Sequence, residues 1–491
     1  MEKPRRTGVY LVAALIAALL IAWLVVKQTE KARLITQLGH HGVLRPDRTR
    51  DISIRIAAAR TLLEAGKLED SLAGLPIYKR SYTAQALGEI HTEESTRLLG
   101  ILLRDQEEKP QAWAADALIK HGRQAIPTLM AALSAGGTTK DNAIRALVAL
   151  GKDSAPRLRF LLADRGSYAA AAEALAKIGG IGTDALLKAA YCADNKVRAA
   201  AVSQLAAQKR PGALKAALDN LSSTDKLAQI DAAIAGLGVL ADPAGAPALL
   251  PFLEKKDKRT AAATSLGLIG DPCAVEPLLA QIPAGDPPYR RAAVLALSRI
   301  GAPAVPALVR ELKASDPVMR RSAAGALVGT RSAAATPALI AALSDSDALV
   351  RAPAARALGW HGNASAVDAL VKALPDRDYH VVDAAVAALG EIGTGVIAQL
   401  LGAVASPSQS TEVRYQISQA FTIMGSGAGP QLVAALSSAS PEVQKWSATA
   451  LGGIRYQDAV PALKRLGAAS AGDVRWVVEE QLRVLTGSTQ F

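Results

Sequence analysis

Apolar residues follow a helical period along most of the chain. In residues 338–343 and 350–358 they fall at i, i+3 or i+4, and i+7 or i+8, the spacing of one buried helix face. From residue 80 onward the pattern recurs roughly as V-R-x-x-A-A-x-x-A-L-G-x-I-G, followed by a polar break and a second apolar segment such as A-V-x-P-L-L-x-A-L. Each unit therefore predicts a pair of α-helices.

Each unit has one apolar residue at an equivalent position, which we call its anchor. The spacing between successive anchors is nearly constant along the chain. The anchors are Leu87, Leu118, Leu147, Leu175, Leu205, Leu237, Leu266, Leu297, Leu327, Leu358, Leu389, Phe421, Leu451 and Leu482. Such regularity predicts an α-solenoid, because each helix pair buries its apolar face only against its neighbours.

Capping residues indicate where the helices begin and end. Asp286-Pro287, Asp316-Pro317 and Ser440-Pro441 each predict an N-cap followed by a proline at the first helical position. Glycine follows many of the anchored helices, where a left-handed residue ends a helix. These glycines are Gly122, Gly151, Gly179, Gly270, Gly301, Gly362, Gly393 and Gly425.

The composition favours an all-α protein. Half of the 491 residues are hydrophobic but only 4% are aromatic, so Ala, Leu and Val supply the apolar content that closely packed helices need. The two cysteines, Cys192 and Cys273, exclude a disulfide framework and a cysteine-based zinc site. They lie more than two repeats apart, and we expect both to be buried thiols.

The repeat closely resembles HEAT-like repeats of the phycobilisome-lyase type. The resemblance is clearest at 261–279 (AAATSLGLIG, then DPCAVEPLL) and at 384–393 (AAVAALGEIG), and it covers roughly residues 80 to 487. It implies a superhelix of about 14 helical hairpins with a long concave surface. It says little about activity, because such repeats serve many binding roles.

The two ends of the array are less regular. Residues 54–78 predict a degenerate first hairpin, and residues 474–485 predict a capping helix with charged residues among its apolar ones. We therefore expect the solenoid to occupy residues 54–487.

Val9 to Val26 is a run of 18 residues without a charge, and at ~1.5 Å per residue it would span roughly 27 Å. It predicts a retained transmembrane helix between a short basic tail (1–8) and a basic juxtamembrane linker (27–53). A cleaved signal peptide is the alternative, since the tail is basic, but no small-x-small cleavage site follows. Basic residues flank both ends equally, so orientation is open, and we favour the N-terminus inside and a periplasmic solenoid in a bacterial inner membrane.

The net charge of +12 is concentrated near the N-terminus. Residues 1–60 hold 11 Lys and Arg against 4 Asp and Glu, and the remaining residues hold 45 against 40. A body so nearly balanced makes nucleic acid an unlikely partner, because it offers no basic stripe by this count.

An arginine recurs at the second position of the anchored helix, often four residues after an aspartate. The positions are Asp194, Arg198, Arg259, Asp286, Arg290, Asp316, Arg320, Asp347, Arg351, Arg414 and Arg475. One interpretation is a ladder that binds phosphate or acidic groups along the concave face. We favour a structural ladder, in which each aspartate caps its helix and pairs with the arginine at i+4.

Motifs that suggest catalysis are weak. The six histidines form no metal-binding motif, including the His-Glu pairs that hold iron in the HEAT-like enzyme deoxyhypusine hydroxylase, and His40-His41 is expected to be a solvated pair. Residues 425–429 (GSGAG) follow a helix, so they predict a turn and not a phosphate loop. Residues 223–226 (STDK) match S-x-x-K without its companion motifs. We expect no catalytic residue, cofactor or metal.

Trp446 and Trp476 lie in consecutive repeats near the C-terminus. They predict either an exposed contact for a partner or bulky packing at the end of the array.

These features favour a non-enzymatic, membrane-anchored scaffold that binds a protein partner along its concave face. One alternative is a bilin-lyase-like or other ligand-processing role, which the repeat type suggests. A second is nucleic-acid binding, as in alkylpurine DNA glycosylases built from HEAT-like repeats.

Overall fold

The computed structural model describes residues 28–38, 48–164, 166–221 and 228–487. Within these ranges the chain is helical and contains no strand, as an all-α solenoid requires. It forms two compact units, with the boundary between Gly236 and Leu237 inside the helix Ala228–Leu240. The predicted transmembrane segment, Val9 to Val26, lies outside the described residues.

In the first unit, residues 28–38 form a helix, and the helix from Arg48 also begins inside the predicted linker of 27–53. The predicted first hairpin is confirmed as two helices with a turn between them. The helices are Arg48–Glu64, Leu68–Leu72, Ile77–Leu87, Glu93–Leu102, Glu108–Lys120, Ile126–Ala131, Gly137–Leu150, Ala155–Leu161, Tyr168–Ile178, Ile181–Ala189, Asn195–Ala207 and Ala213–Leu221.

In the second unit, long and short helices alternate. The long helices are Arg259–Ile269, Pro287–Ile300, Pro317–Thr330, Ala348–His361, Tyr379–Ile392, Thr411–Met424, Pro441–Gly453 and Gly472–Thr486. The short helices are Ala246–Leu249, Val275–Ala280, Val305–Glu311, Thr336–Ala342, Val367–Ala373, Ile397–Ala405, Gly429–Ala435 and Val460–Ala469. A 3-10 turn precedes each short helix, and consecutive long helices pack directly on one another.

The anchor positions form the core. All fourteen are buried, none with more than 2% of its surface exposed. Burial of a leucine side chain contributes about 1.5–3 kcal/mol, so one anchor per repeat supplies a regular share of the stability of the stack.

The predicted helix ends are confirmed. All eight glycines have positive φ, between 48° and 93°. Asp286 accepts a hydrogen bond from the Tyr289 amide at 3.0 Å, and Asp316 accepts one from the Val318 amide at 2.9 Å.

A second glycine, directly after the anchor, is needed for a different reason. A Cβ atom at Gly267 would lie 2.6 Å from the Cα of Ala296, and one at Gly359 would lie 2.5 Å from the Cα of Ala388. These glycines therefore permit consecutive long helices to approach each other closely. In the sequence, such a glycine looks the same as one that caps a helix.

No single helix in the described parts of the chain is long and apolar enough to cross a membrane. Two bent helix pairs, Pro287–Ile300 with Ala302–Glu311 and Tyr379–Ile392 with Thr394–Ala405, reach that length and composition only together.

Candidate interaction surface

The recurring arginines form a ladder between repeats in the second unit. The Arg351 guanidinium bonds both carboxylate oxygens of Asp376 at 2.7 Å, from Nε and Nη2. Its Nη1 donates to the backbone carbonyls of Asp345 and Ser346 at 2.9 and 3.1 Å. Arg320 repeats this arrangement one repeat earlier, with Asp345 at 2.8 and 3.2 Å. Each arginine thus ties its own loop to the loop of the next repeat.

The acid of each pair belongs to the next repeat, where it stands just before the N-cap. Asp376 accepts the backbone amide of Asp378 at 2.8 Å, and Asp378 in turn caps its helix through the His380 amide at 2.9 Å. Asp345 and Asp347 divide the same two roles. In a D-x-D sequence, therefore, the first aspartate holds the arginine and the second caps the helix.

This geometry corrects the predicted pairing. Asp316 and Asp347 cap their helices as expected, but Arg320 and Arg351 pair with Asp345 and Asp376 and not with the acid at i−4. A carboxylate that already accepts bonds at the start of its helix points away from the arginine one turn later. Among the described residues of the first unit, Arg80 forms the same kind of ladder pair with Asp105 at 2.7 Å.

The other predicted members differ in their partners. Asp286 caps its helix and also pairs with Arg259 of the preceding repeat at 2.9 Å. Arg414 lies 3.4 Å from Glu442, because Ser438 stands where the ladder acid would be, two residues before the N-cap Ser440. Arg475 forms only an exposed pair with Glu479.

Arg198 and Arg290 are not joined to a second repeat by an ion pair among the described residues. Arg198 donates to the Cys192 carbonyl at 2.8 Å, within its own loop, and Asp194 caps that helix. Arg290 has a buried Nε without a hydrogen-bond partner, and Ala314 stands where the ladder acid would be, two residues before the N-cap Asp316 of the next long helix.

Burial and charge make the ladder structural. The pKa of Asp376 is lowered by its hydrogen bonds from Arg351, against the opposing effect of burial. Burial has the largest single effect on Asp345 and raises its pKa, but the hydrogen bonds from Arg320, the Asp347 amide and the charge of Arg320 together lower the pKa overall. The Arg351 side chain is 7% exposed and its donors are already bonded. These guanidinium groups are therefore not available to bind a phosphate or an acidic ligand.

A different surface is available on the long helices, which we call the open face. It consists of the positions six before, two before and two after each anchor, which lie on one side of the helix. In the second unit this face exposes large apolar side chains, including Leu295 at 52%, Trp360 at 46%, Ile423 at 51% and Trp476 at 68%. Isolated exposed apolar residues are ordinary, but here they recur on alternate long helices: Leu295 two before its anchor, Trp360 and Ile423 two after, and Trp476 six before.

The structure separates the two predicted tryptophan contacts. Trp476 lies on the open face and is largely exposed. Trp446 is half-buried, stacks edge-on against Tyr415 with 6.3 Å between ring centroids, and donates from Nε1 to Glu442 at 2.9 Å. Trp446 therefore takes the packing role, and only Trp476 is available to a partner.

An apolar groove lies in the first unit between the short helices Ala155–Leu161 and Ile181–Ala189. It has a volume of about 670 Å³, and Phe160, Ile181 and Cys192 are among its lining residues. Phe160 is 67% exposed. The prediction that both cysteines are buried is wrong, because Cys192 is half-buried and Cys273 is exposed.

The motifs considered for catalysis have structural explanations where they are described. Residues Gly425–Ala428 form a 3-10 turn between helices, which confirms the predicted turn. His121 is buried and bonded to Thr96 Oγ1 at 2.8 Å and to the Leu87 carbonyl at 3.0 Å. His40-His41 and residues 223–226 lie outside the described residues. Among the residues described, no group of three or more His, Cys, Asp or Glu side chains is placed to hold a metal ion.

Comparison with known proteins agrees with this architecture. A family profile described as HEAT repeats matches residues 246–328, 305–390, 336–422 and 397–483. Together these matches span residues 246–483, somewhat less than half of the chain, and they fall entirely within the second unit. No curated protein matches the sequence.

Solved structures of other α-solenoids resemble the chain at a distance. Importin β is 14% identical over 93% of this chain and 73% of its own, with a TM-score of 0.40. The karyopherin Kap121p, solved with the extreme C-terminus of the phosphatase Cdc14p, is 13% identical over 91% of this chain and 56% of its own, with a TM-score of 0.41. The complex of CpcE and CpcF of phycocyanin lyase from Nostoc is 23% identical over 49% of this chain and 93% of its own, with a TM-score of 0.26. Similarity at this level carries no information on function.

Proposed function

We propose that this protein is a non-catalytic scaffold that binds a protein partner on the open face of its HEAT repeats. The proposal rests on the apolar side chains that recur on the open face, because Leu295, Trp360, Ile423 and Trp476 each leave about half or more of their surface exposed to solvent. The ladder and the anchors already account for the packing between repeats. A rigid stack that repeats its binding positions is suited to hold an extended partner.

We further propose that residues 9–26 anchor the scaffold in a bacterial inner membrane, with the solenoid in the periplasm. The support is the long uncharged and apolar run that the sequence contains there. Paired cytoplasmic and periplasmic reporters fused after Phe491 test this part. Only periplasmic signal, with the protein retained in carbonate-washed membranes, agrees with it; release of the protein or cytoplasmic signal contradicts it.

Site-specific photocrosslinking in cells tests the binding role. A photoreactive amino acid in place of Leu295 samples the open face, and one in place of the exposed Ala341 samples a short helix as the matched control. We expect one identified protein to crosslink from position 295 and not from 341. Equal crosslinking from both positions, or none from 295, contradicts the proposal.

An assay of turnover tests the non-catalytic part. The non-catalytic role would be refuted if the purified protein turned over a substrate and the removal of one polar side chain abolished that turnover.

A further inference from the structure

The charge of the solenoid is concentrated in one stretch of the second unit. Residues 287–361 contain ten Lys and Arg against four Asp and Glu. The rest of the chain from residue 61 contains 35 basic and 36 acidic residues. The near balance of the body therefore conceals one basic segment, which covers three consecutive long helices.

Four of these ten basic residues have partners that account for their charge. Arg320 and Arg351 belong to the ladder, Arg310 pairs with Glu276 and Glu311, and Arg321 pairs with Asp347.

Four others are exposed and make no ion pair with any described acid: Arg291, Arg299, Arg331 and Arg356. Arg291 and Arg299 lie six before and two after the anchor Leu297, and Arg356 lies two before Leu358. All three are therefore on the open face.

Arg331 reaches the same region from an unusual backbone position. It follows the helix Pro317–Thr330 with φ 49° and ψ 35°, where most repeats have glycine. A non-glycine residue in this conformation costs about 1 kcal/mol. Its guanidinium lies 5.2 Å from the centre of the Trp360 ring, which is itself on the open face.

The middle helix carries glycine at two of its open-face positions. Gly325 and Gly329 lie two before and two after the anchor Leu327, so neither places a side chain on this face. A Cβ at Gly329 would collide with the Ser298 hydroxyl, so this glycine also permits close contact with the preceding long helix. We call the surface over these glycines the trough; it is flanked by Leu295 and Arg299 on one helix and by Arg356 and Trp360 on the next but one.

We infer that this trough binds an extended acidic segment of a protein partner that carries a large apolar side chain. Guanidinium groups bind carboxylates in a bidentate manner, and the exposed Leu295 and Trp360 supply apolar contacts beside them. Two helix spacings of about 8–10 Å each correspond to roughly five or six extended residues. This inference rests on the proposed function and specifies the chemistry of its partner.

The neighbouring repeat favours a short acidic segment over a nucleic acid. Asp383 and Glu391 occupy the open face of the next long helix, six before and two after Leu389, and both are exposed. A continuous polyanion that left the trough on this side would meet two carboxylates, whereas an acidic stretch of limited length would not.

Binding of a fluorescent peptide to the full-length protein tests the inference. The probe is a twelve-residue peptide of Asp and Glu around one central Leu, and its matched control replaces the acids by Asn and Gln. We expect the acidic peptide to bind at least tenfold more tightly and its affinity to fall with salt. Equal binding of both peptides would overturn the inference.

Three variants locate the site. Arg299→Gln with Arg356→Gln should weaken binding about tenfold, and Arg331→Gly should weaken it several-fold while leaving the fold intact, because glycine suits that backbone position. Arg310→Gln with Lys313→Gln removes the same charge away from the open face and should change affinity less than twofold. Equal losses in the two double variants would indicate nonspecific attraction and overturn the inference.

Two further outcomes separate this inference from the proposed function. Single-stranded DNA of twelve nucleotides that binds as tightly, and loses affinity in the same variants, would assign the trough to nucleic acid instead. A partner that still crosslinks from position 295 with unchanged yield in the Arg299→Gln, Arg356→Gln protein would leave the scaffold role intact and remove its acidic chemistry.

Discussion

The second unit forms the same arginine–aspartate bond at two successive junctions, whereas in the first unit the described residues form it between Arg80 and Asp105 and other junctions use different bonds. In the second unit Arg320–Asp345 and Arg351–Asp376 are nearly superimposable in their contacts. In the first unit the Asn220 amide donates to the Ala190 carbonyl at 3.0 Å, and Arg210 donates from Nε to the Ala176 carbonyl at 2.9 Å.

The HEAT profile matches only within the second unit, although both units are built of stacked helix pairs. Apolar periodicity is therefore sufficient for the stack. The ladder adds a polar bond between repeats, and the residues that form it recur in the sequence of one part of the stack.

The largest expected effect comes from breaking the ladder. Arg351→Ala leaves the Asp376 carboxylate largely buried without its counter-charge, which costs about 3 kcal/mol. Hydrogen–deuterium exchange of the full-length protein should show lost protection in the helices Ala348–His361 and Tyr379–Ile392. Arg475→Ala is the control, because its pair with Glu479 is exposed and contributes about 0.5 kcal/mol or less. A smaller loss for Arg351→Ala than for Arg475→Ala would contradict the structural role of the ladder.

The next effect concerns the close approach of the long helices. Gly359→Ala places a methyl group 2.5 Å from the Cα of Ala388, and relieving this clash should cost about 1–3 kcal/mol. Gly402→Ala is a matched control inside the helix Ile397–Ala405, where a methyl group would have no neighbour within 4 Å. The control should stabilise the protein by roughly 0.5–1 kcal/mol, since alanine is the better helix former. Thermal unfolding measures both effects as shifts in the unfolding temperature. Shifts of the same sign would show that the close helix contact does not require glycine at position 359.

Two histidines occupy the same repeat position, one in each unit, so their substitution allows a direct comparison of the stability of the two units. His121 and His361 each lie three residues after an anchor. His121 has two hydrogen bonds, while neither ring nitrogen of His361 makes one of normal geometry. His121→Leu should therefore cost about 2 kcal/mol, and His361→Leu should be neutral or slightly stabilising. Urea unfolding at pH 8 measures the difference, and equal costs would mean that the bonds of His121 contribute nothing specific.

The sequence was sufficient for the elements that depend on local or periodic signals. The anchors, the N-caps such as Asp316 and the glycine helix ends all lie where the pattern places them. The ladder partner was misassigned because Asp345 and Asp376 belong to the repeat after their arginines, while a capping aspartate lies only one helical turn away. The D-x-D spacing was the available signal.

The trough could not be found from composition. Its arginines lie on two long helices and at the end of the helix between them, and the balanced charge of the body hides them until they are placed on the open face. Gly325 and Gly329 also gave no signal, because a glycine on the open face has the same sequence appearance as one that caps a helix.

The smallest effect is a difference in pH dependence between the units. Desolvation lowers the pKa of His121 below its usual 6.5, and the nearby His91 lowers it further, while the bond to the Leu87 carbonyl only partly offsets this. The unfolded chain then binds a proton more readily than the folded one. The stability that neutral His121 contributes is complete above about pH 6.5 and is lost as the pH falls below it. Desolvation also lowers the pKa of His361, so His361→Leu serves as the background for the measurement.

The ladder carboxylates respond in a lower window. The pKa values of Asp345 and Asp376 are lowered in the folded protein, so their contribution is complete above about pH 4 and is lost only as the pH falls through those lowered values. In the His361→Leu background, therefore, the first unit should lose stability between pH 8 and pH 5 while the second unit stays constant. Exchange protection factors of the helices Glu108–Lys120 and Ala348–His361, corrected for intrinsic rates, report the two units separately. A parallel decline in both helices would mean that one cooperative transition, and not the local chemistry of each unit, determines the response to acid.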